Sequence, residues 1–230
     1  MAKSTVFVLV PGAFNLPSVF DALADSLRSH NHEIEIAHLP SLGRKEDKPA
    51  GALDDAEHVR SVVTQHTKSG SNVVLAGSSY GGFVITEAAK GLIDSSATAD
   101  NTGKLIHLVY FASLPFELNT TVSQMVEGKQ PMPTTIPGNY LDPMPAEIAG
   151  PVLCSQATLE EQGWKHVPST FVIGEKDLAV DAAWQHEKVD EAIKGGFEVK
   201  KVVLENGDHF MWVSQKDAVV DVLLEAAKGT

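Results

Sequence analysis

Cysteine is nearly missing from this chain of 230 residues, which contains a single one, Cys154. One cysteine excludes an intramolecular disulfide, so the fold must depend on its hydrophobic core, and such a composition suits a reducing compartment. The neighbouring Val152 and Leu153 are apolar, which predicts a buried, unreactive thiol. We therefore expect a cytoplasmic protein.

Long apolar runs are also missing. The stretch 6–10 ends at Pro11 and Gly12, so it is far too short for a signal-peptide core or a membrane span. No period of 20 to 50 residues repeats and no low-complexity tract occurs, which excludes solenoids and disordered tails. The length fits one α/β unit, and we predict a single domain over residues 1–230.

Positive charge is scarce. The chain has 18 lysine and arginine residues against 30 aspartate and glutamate residues, which gives a net charge of −12, and no basic stripe offsets it. This balance argues against nucleic acid or an anionic membrane as a partner. We expect a small-molecule substrate, and the composition makes no prediction of the oligomeric state.

The chain does contain short β-rich runs that alternate with amphipathic segments. Several of the runs are continuously apolar, as strands buried on both faces are. This alternation predicts an α/β fold with a mostly parallel sheet flanked by helices. The predicted strands are 6–10, 33–37, 72–76, 105–111, 170–173 and 199–204.

Apolar residues at helical spacing predict the covering helices, and Ser18 is a candidate cap for the first of them. The clearest stripes are Leu16, Phe20, Leu23 and Leu27; Ala52, Ala56, Val59 and Val63; and Val219, Val222, Leu223 and Ala226.

The alternation stops between Pro115 and Pro168, where eight of the twelve prolines fall. Proline is excluded from central strands, so this segment is an insertion and not part of the sheet. It also carries apolar side chains, among them Tyr140 and Trp164. We predict a small lid at about 115–168 that covers an apolar pocket, with an irregular excursion without a substrate role as the alternative.

The pentapeptide Gly77-Ser78-Ser79-Tyr80-Gly81 lies between an apolar run and a helix-like run. This is the context of a nucleophile elbow, in which the central serine sits on a sharp turn and glycine two residues to either side avoids a collision. The pattern predicts Ser79 as a nucleophile, while Ser78 lacks the second glycine.

A serine nucleophile needs an imidazole to accept its proton and a carboxylate to orient that imidazole. Asp177 follows the strand 170–173, and His209 follows the strand 199–204. In this chain order they are the expected acid and base. The rivals for the acid are Glu175, Asp181 and Glu117.

The other histidines lack a position in a loop after a strand, and we expect them to be solvated or structural. His30 and His32 could suggest a metal, but the chain has one cysteine and no H-E-x-x-H pattern, so we predict no metal and no cofactor. The remaining histidines of this group are His38, His58, His66, His107, His166 and His186.

Acyl transfer also needs backbone N–H groups that stabilise the developing oxyanion. Tyr80 directly follows the nucleophile and supplies one. Ala13, in the loop after the first strand, is expected to supply the other, with Phe14 as the alternative.

Together these features resemble the compact α/β-hydrolases of the plant methyl esterase and hydroxynitrile lyase type and their fungal and bacterial relatives. Two residues depart from the pattern. Pro11 stands where such proteins commonly have histidine, and Phe210 stands where the lyase branch places lysine, which points to the esterase branch. The residues that carry the resemblance are 8–13, 39–43, the Ser79 elbow, Trp164-Lys165, Val167-Pro168, 177–180, Gln185 and Gly207-Asp208-His209.

The resemblance implies an α/β-hydrolase fold and a serine hydrolase acting on an ester, a lactone or a related carbonyl compound of small to moderate size and apolar character. The alternatives are a lyase or carbon–carbon bond hydrolase that uses the same triad as a base, and a ligand receptor built on the same fold. Epoxide hydrolysis and haloalkane hydrolysis by the usual route on this fold would need an aspartate at position 79. The serine there disfavours both reactions. The predicted substrate contacts are Phe14, Tyr140, Trp164 and Phe210.

Overall fold

Six parallel strands form the centre of the molecule in a computed structural model that describes residues 3–42, 50–92, 102–119 and 162–229. The strand order is β2-β1-β3-β4-β5-β6, and every neighbouring pair is parallel. The strands are β1 (Thr5–Val10), β2 (Glu33–Ile36), β3 (Asn72–Ser78), β4 (Leu105–Phe111), β5 (Ser169–Gly174) and β6 (Val199–Leu204).

The predicted strands are confirmed, each within two residues of its observed ends. The continuous apolar runs have the expected cause, because alternate side chains of one strand enter different cores. Val6 and Val8 belong to the core on one face of the sheet, whereas Phe7 and Leu9 belong to the core on the other. A strand buried on both faces needs apolar residues at every position.

Helices cover both faces of the sheet, as the apolar stripes predict. Buried residues of α2, α3 and α4 belong to the core that contains Val6, and those of α1, α5 and α6 to the core that contains Phe7. Within the residues that the structure describes, two short 3-10 helices, Pro17–Phe20 and Gly163–Lys165, add to these. The α-helices are α1 (Asp21–Ser29), α2 (Ala52–Lys68), α3 (Tyr80–Ala88), α4 (Ala182–Lys194), α5 (Met211–Ser214) and α6 (Lys216–Ala226).

The prediction that Ser18 caps the first helix is wrong. Ser18 lies inside the 3-10 helix Pro17–Phe20, whose N-cap residue is Leu16 and has no side-chain cap. Pro17 occupies the first turn, where its fixed φ suits a helix and its missing N–H costs nothing. The helix therefore begins at the proline and not at a capping hydroxyl.

Because all six strands are parallel, their carboxyl ends meet at one edge of the sheet. The chain runs from β1 to β2 on one side and then to β3 on the other side of β1, so the strand order reverses between β1 and β3. Ligands bind in the crevice outside such a reversal point. The loop after β1 and the turn after β3 border this crevice.

The predicted lid is only partly within the described residues. Tyr140 and Cys154 lie outside them, as do residues 120–161 in general. Within the described ranges, no helix combines the length and the apolar character that crossing a bilayer requires.

Candidate active site

Ser79 occupies the sharp turn between β3 and α3. Its backbone has φ 50° and ψ −118°, a conformation that non-glycine residues rarely adopt. Two backbone hydrogen bonds hold it there: its N–H donates to the carbonyl of Phe111 at 2.9 Å, and its carbonyl accepts from the N–H of Gly82 at 2.9 Å. A strained serine at the carboxyl end of a central strand is the geometry of a nucleophile elbow.

The two glycines of the motif are required by close backbone contacts. A Cβ atom on Gly77 would lie 2.4 Å from the carbonyl oxygen of Gly81. A Cβ atom on Gly81 would lie 2.4 Å from the carbonyl oxygen of Val10, at the end of β1. The elbow can therefore pack against β1 only if both positions lack a side chain.

His209 and Asp177 are in direct contact. Nδ1 of His209 lies 3.0 Å from both carboxylate oxygens of Asp177, whose side chain is completely buried. Three further donors reach this carboxylate. The N–H groups of Ala179 and Val180 donate to Oδ1 at 2.8 and 2.9 Å, and the Gln185 amide donates to Oδ2 at 3.0 Å. These donors hold the carboxylate plane in one orientation toward the ring.

The loop that carries Asp177 and the loop that carries His209 contact each other because β5 and β6 are neighbouring strands. The N–H of Lys176 donates to the carbonyl of Gly207 at 2.9 Å. A Cβ atom on Gly174 would lie 2.5 Å from that same carbonyl oxygen. Gly174, at the end of β5, and Gly207, in the loop after β6, therefore allow the approach that brings His209 to Asp177.

The segment after His209 turns back across the sheet toward the elbow. The ring of Phe210 lies 5.2 Å from that of Trp212, and the ring of Trp212 lies 6.4 Å from that of Phe111 on β4. Phe111 is the residue whose carbonyl binds Ser79. In the described part of the chain, the His209 ring hydrogen-bonds to Asp177 and not to the Ser79 hydroxyl.

The three rivals for the acid have other partners. Glu175 contacts His186 at 2.7 Å. Asp181 caps α4 by accepting from the N–H of Trp184 at 2.9 Å. Glu117 accepts from Gln162 at 2.5 Å and from Lys165 at 3.4 Å. Of the four carboxylates considered, the structure brings Asp177 to the His209 ring.

The loop after β1 forms a tight turn beside the elbow. The N–H of Asn15 donates to the carbonyl of Gly12 at 3.3 Å, and the side-chain amide of Asn15 donates to the carbonyl of Ala13 at 3.0 Å. Phe14 has φ 63°. A hollow opens here, and both residues expected to supply oxyanion donors line it. Its lining residues are Gly12, Ala13, Phe14, Leu39, Ser41, Leu42 and Tyr80.

The predicted substrate contacts divide into three groups. Phe14 lines the hollow, and the Phe210 ring lies edge-on to His209 with 5.6 Å between ring centroids. Trp164 is not brought to the site: it is buried, donates its indole N–H to the carbonyl of Phe116 at 2.9 Å and packs against Phe197. Tyr140 lies outside the described residues.

Sequence reasoning missed a buried carboxylate behind the hollow. Asp55 on α2 is fully buried and accepts three hydrogen bonds, from the N–H of Ser41 at 2.8 Å, the Ser41 hydroxyl at 2.6 Å and the Tyr80 phenol at 2.7 Å. Burial raises the pKa of Asp55 despite these donors. Burial, together with the Asp55 charge, also raises the pKa of the Tyr80 phenol well above its usual value. An acidic residue between Ala52 and Val59 on the apolar stripe was the available signal.

The described residues contain no group of three or more His, Cys, Asp or Glu side chains that could hold a metal ion. The two histidines that could suggest a metal have separate surroundings. His30 bonds through Nδ1 to the carbonyl of Ser26 at 2.9 Å, and the His32 ring packs edge-on against Phe7.

Comparison with known proteins adds two kinds of similarity. A model of the Alpha/beta hydrolase family matches residues 7–222. In addition, the chain is 25% identical over 244 residues to the Alpha/beta hydrolase nvfD of Aspergillus novofumigatus (strain IBT 16806), which covers 96% of this chain and 95% of the relative.

Solved structures with a similar fold have lower sequence identity. A pyrethroid hydrolase from Sphingobium faniae JZ-2 superposes with a TM-score of 0.68 at 17% identity, covering 98% of each chain. Polyneuridine aldehyde esterase gives a TM-score of 0.68 at 18% identity, covering 98% of this chain and all of the other. At this identity the superpositions show a shared fold.

Proposed function

Because this chain belongs to the alpha/beta hydrolase family, we propose that it is a serine hydrolase that cleaves esters, lactones or related carbonyl compounds of small to moderate size and apolar character. The observation that carries the proposal is the contact between His209 and the buried Asp177, at the sheet edge where the strained Ser79 lies. A serine, a histidine and a carboxylate in this chain order are the parts of an acyl-transfer triad.

In the proposed reaction the Ser79 hydroxyl oxygen attacks the substrate carbonyl carbon while Nε2 of His209 takes its proton. The tetrahedral intermediate then expels the alcohol, which leaves with the proton from His209, and an acyl-enzyme ester remains on Ser79. Water, deprotonated by His209, hydrolyses this ester and releases the acid. The Ser79 hydroxyl and the ring must approach more closely in the substrate complex than in the free protein, as is common for catalytic hydrogen bonds.

Asp177 orients the base in this scheme. With Nδ1–H directed at the carboxylate, Nε2 is the nitrogen that can accept a proton. The negative charge also stabilises the imidazolium that forms in the transition state. Gln185 helps to fix the orientation of the Asp177 carboxylate by donating a hydrogen bond to Oδ2.

The backbone N–H groups of Ala13 and Tyr80 are the proposed oxyanion donors. Tyr80 is the first residue of α3, so its N–H is one of the helix's unpaired donors. Gly12 packs beside β3, where a Cβ atom would lie 3.3 Å from the Ser78 carbonyl oxygen, and this keeps the Ala13 loop next to the elbow.

The surroundings support an apolar, uncharged substrate. No lining residue of the described hollow has an ionisable side chain except Tyr80, whose phenol is bound to Asp55. Phe210 adds an apolar ring beside His209. Two solved proteins of similar fold, a pyrethroid hydrolase and polyneuridine aldehyde esterase, have names compatible with this substrate class.

The proposed partner is therefore a small molecule. The net charge of −12 argues against nucleic acid or an anionic membrane as a partner. The single cysteine supports a reducing, cytoplasmic location.

The test offers purified protein small aryl esters, lactones and aromatic cyanohydrins side by side, with and without a chelator, and uses Ser79→Ala as the blank. We expect Ser79-dependent hydrolysis with a burst of alcohol release, insensitive to chelation. Faster Ser79-dependent cyanide release than ester or lactone cleavage would assign a lyase instead. Turnover of none of the three would favour carbon–carbon bond hydrolysis or a receptor.

A further inference from the structure

We propose that Asp55 is a positioning residue for the reaction: it holds Tyr80, which supplies an oxyanion donor, and Ser41, which also lines the hollow, in one fixed arrangement. This inference rests on the proposed hydrolase function. Asp55 itself does not line the hollow, so it acts through its two neighbours.

The first support is the burial and the full set of partners of the carboxylate. Asp55 lies on the buried side of α2, and its two oxygens accept three hydrogen bonds of 2.6 to 2.8 Å. Burying a carboxylate costs free energy, and hydrophobic residues at the neighbouring positions of the stripe show that an apolar side chain would suit this face. Core packing alone therefore does not explain a carboxylate here.

The second support is what the three bonds connect. Ser41 follows β2 by several residues, Asp55 is in α2 and Tyr80 begins α3 directly after the nucleophile. Both partners of Asp55 line the hollow that Ala13 also lines. One buried carboxylate thus binds two side chains that line the space where the proposed oxyanion forms.

The third support is the position of the Tyr80 side chain relative to its own N–H. The phenol is anchored by Asp55 at 2.7 Å, and the ring packs parallel to that of Phe83 at 6.5 Å. With both the oxygen and the ring held, the first residue of α3 has little freedom to rotate. Its N–H direction is then set before substrate binds, as preorganised oxyanion stabilisation requires.

This role predicts an effect on the transition state. A displaced donor weakens binding of the oxyanion more than binding of the neutral carbonyl, so kcat should fall while KM changes little. Tyr80→Phe removes the phenol oxygen and keeps the ring, and Ser41→Ala removes one hydroxyl. Asp55→Asn keeps the size and shape of the side chain but replaces one acceptor oxygen with an N–H₂ group. That group faces the Ser41 and Tyr80 donors and cannot accept their hydrogen bonds.

The chain offers a matched control in Tyr110. This tyrosine is also fully buried, its hydroxyl lies 3.0 Å from the Thr86 hydroxyl, and its ring stacks on Phe171 with 4.2 Å between centroids. Tyr110→Phe therefore loses a buried phenol hydrogen bond, here to a neutral hydroxyl, at a residue that does not line the hollow. Its effect on stability serves as the reference for Tyr80→Phe.

The experiment measures kcat and KM with an activated ester, normalised to active sites by burst titration, and inhibition by a trifluoromethyl ketone as a transition-state mimic and by the product acid. We expect Tyr80→Phe, Ser41→Ala and Asp55→Asn to lower kcat by about 5- to 50-fold with KM within about 3-fold. Affinity for the ketone should fall in parallel, affinity for the product acid should not, and Tyr110→Phe should keep kcat within about 2-fold.

The outcomes separate this inference from the proposed function. Unchanged kcat in Tyr80→Phe, or a change confined to KM, overturns the positioning role while Ser79-dependent hydrolysis stands. Activity that persists in Ser79→Ala overturns the proposed function and this inference with it. If Asp55→Asn does not fold, Tyr80→Phe decides the question, because it leaves Asp55 with both Ser41 donors.

Discussion

The buried carboxylate of Asp177 faces the His209 ring with both oxygens 3.0 Å from Nδ1, and four donor groups in total converge on it. These donors satisfy both oxygens of the buried carboxylate and fix its orientation toward the ring. The arrangement leaves Nε2 of the ring as the reactive nitrogen, which is the basis of the first two predictions.

Replacing the nucleophile or the base should abolish catalysis without unfolding the protein. We expect Ser79→Ala and His209→Ala each to lower kcat by three or more orders of magnitude. The double variant should be no worse than about 10-fold below either single variant, because the two groups act as one unit. Steady-state kinetics with circular dichroism as the folding control checks this. Full additivity of the two losses would contradict a shared step.

Asp177→Asn should be severely impaired although it is nearly isosteric. One oxygen must remain to accept from Ala179 and Val180, so the new N–H₂ points at two donors, Gln185 and the His209 ring. The ring is then pushed toward the wrong tautomer, and kcat should fall by about 10² to 10⁴.

The rival carboxylates provide the controls for that variant. Glu175→Gln and Asp181→Asn alter an exposed pair with His186 and a helix cap, respectively, so kcat should stay within about 2-fold. A larger loss in either rival than in Asp177→Asn would assign the acid elsewhere.

The elbow should not tolerate a side chain at Gly81. In Gly81→Ala the Cβ atom would lie 2.4 Å from the carbonyl oxygen of Val10, and neither backbone can move without disturbing β1 or the turn. We expect a large decrease in the melting temperature together with loss of activity. Gly196→Ala is the control: Gly196 has a positive φ of 81°, which Gly81 does not have, but no neighbouring atom lies within 4 Å of the added Cβ, so the cost should be about 1 kcal/mol. Equal thermal shifts in the two variants would contradict the packing explanation.

Local sequence signals account for most of the fold. The strands are recognisable because burial on both faces requires a continuous run of apolar residues. The elbow is recognisable because its two glycines have a fixed spacing around the serine. The partners Asp177 and His209 could also be named, since each directly follows a strand end, and the parallel sheet brings those ends together.

What the sequence could not reveal depends on contacts between distant residues. The hydrogen-bond partners of Asp55 lie 14 and 25 residues away in the sequence. The sequence around Asp55 therefore shows a carboxylate on an apolar helix face but does not show what that carboxylate binds. Trp164 was expected at the substrate, but a large apolar residue fits a core equally well, and its actual neighbours Phe116 and Phe197 are remote in sequence. The spacing of apolar residues in the sequence does not distinguish a side chain that packs in the core from one that contacts the substrate.

A buried histidine outside the site links stability to pH. His107 on β4 hydrogen-bonds to the Thr170 hydroxyl on β5 at 2.9 Å, and burial, with a smaller contribution from the Lys200 charge, lowers its pKa to about 4. The unfolded chain has the ordinary value of about 6.5, so between these two values it binds more protons than the folded chain. Stability should therefore be retained above about pH 6.5 and be lost as the pH falls toward 4.

His107→Gln should remove this dependence, because the Gln amide nitrogen can take the place of Nε2 beside Thr170 but cannot titrate in this range. The free energy of unfolding, measured in urea at pH 7.5 and pH 5, should decrease on acidification by about 2 kcal/mol more in the parent than in the variant. Using the difference between the two proteins cancels the titration of every other group they share. A parallel decrease in both would show that the folded chain accepts a proton on His107 as readily as the unfolded chain does, and that this buried ring is not what weakens the protein in acid.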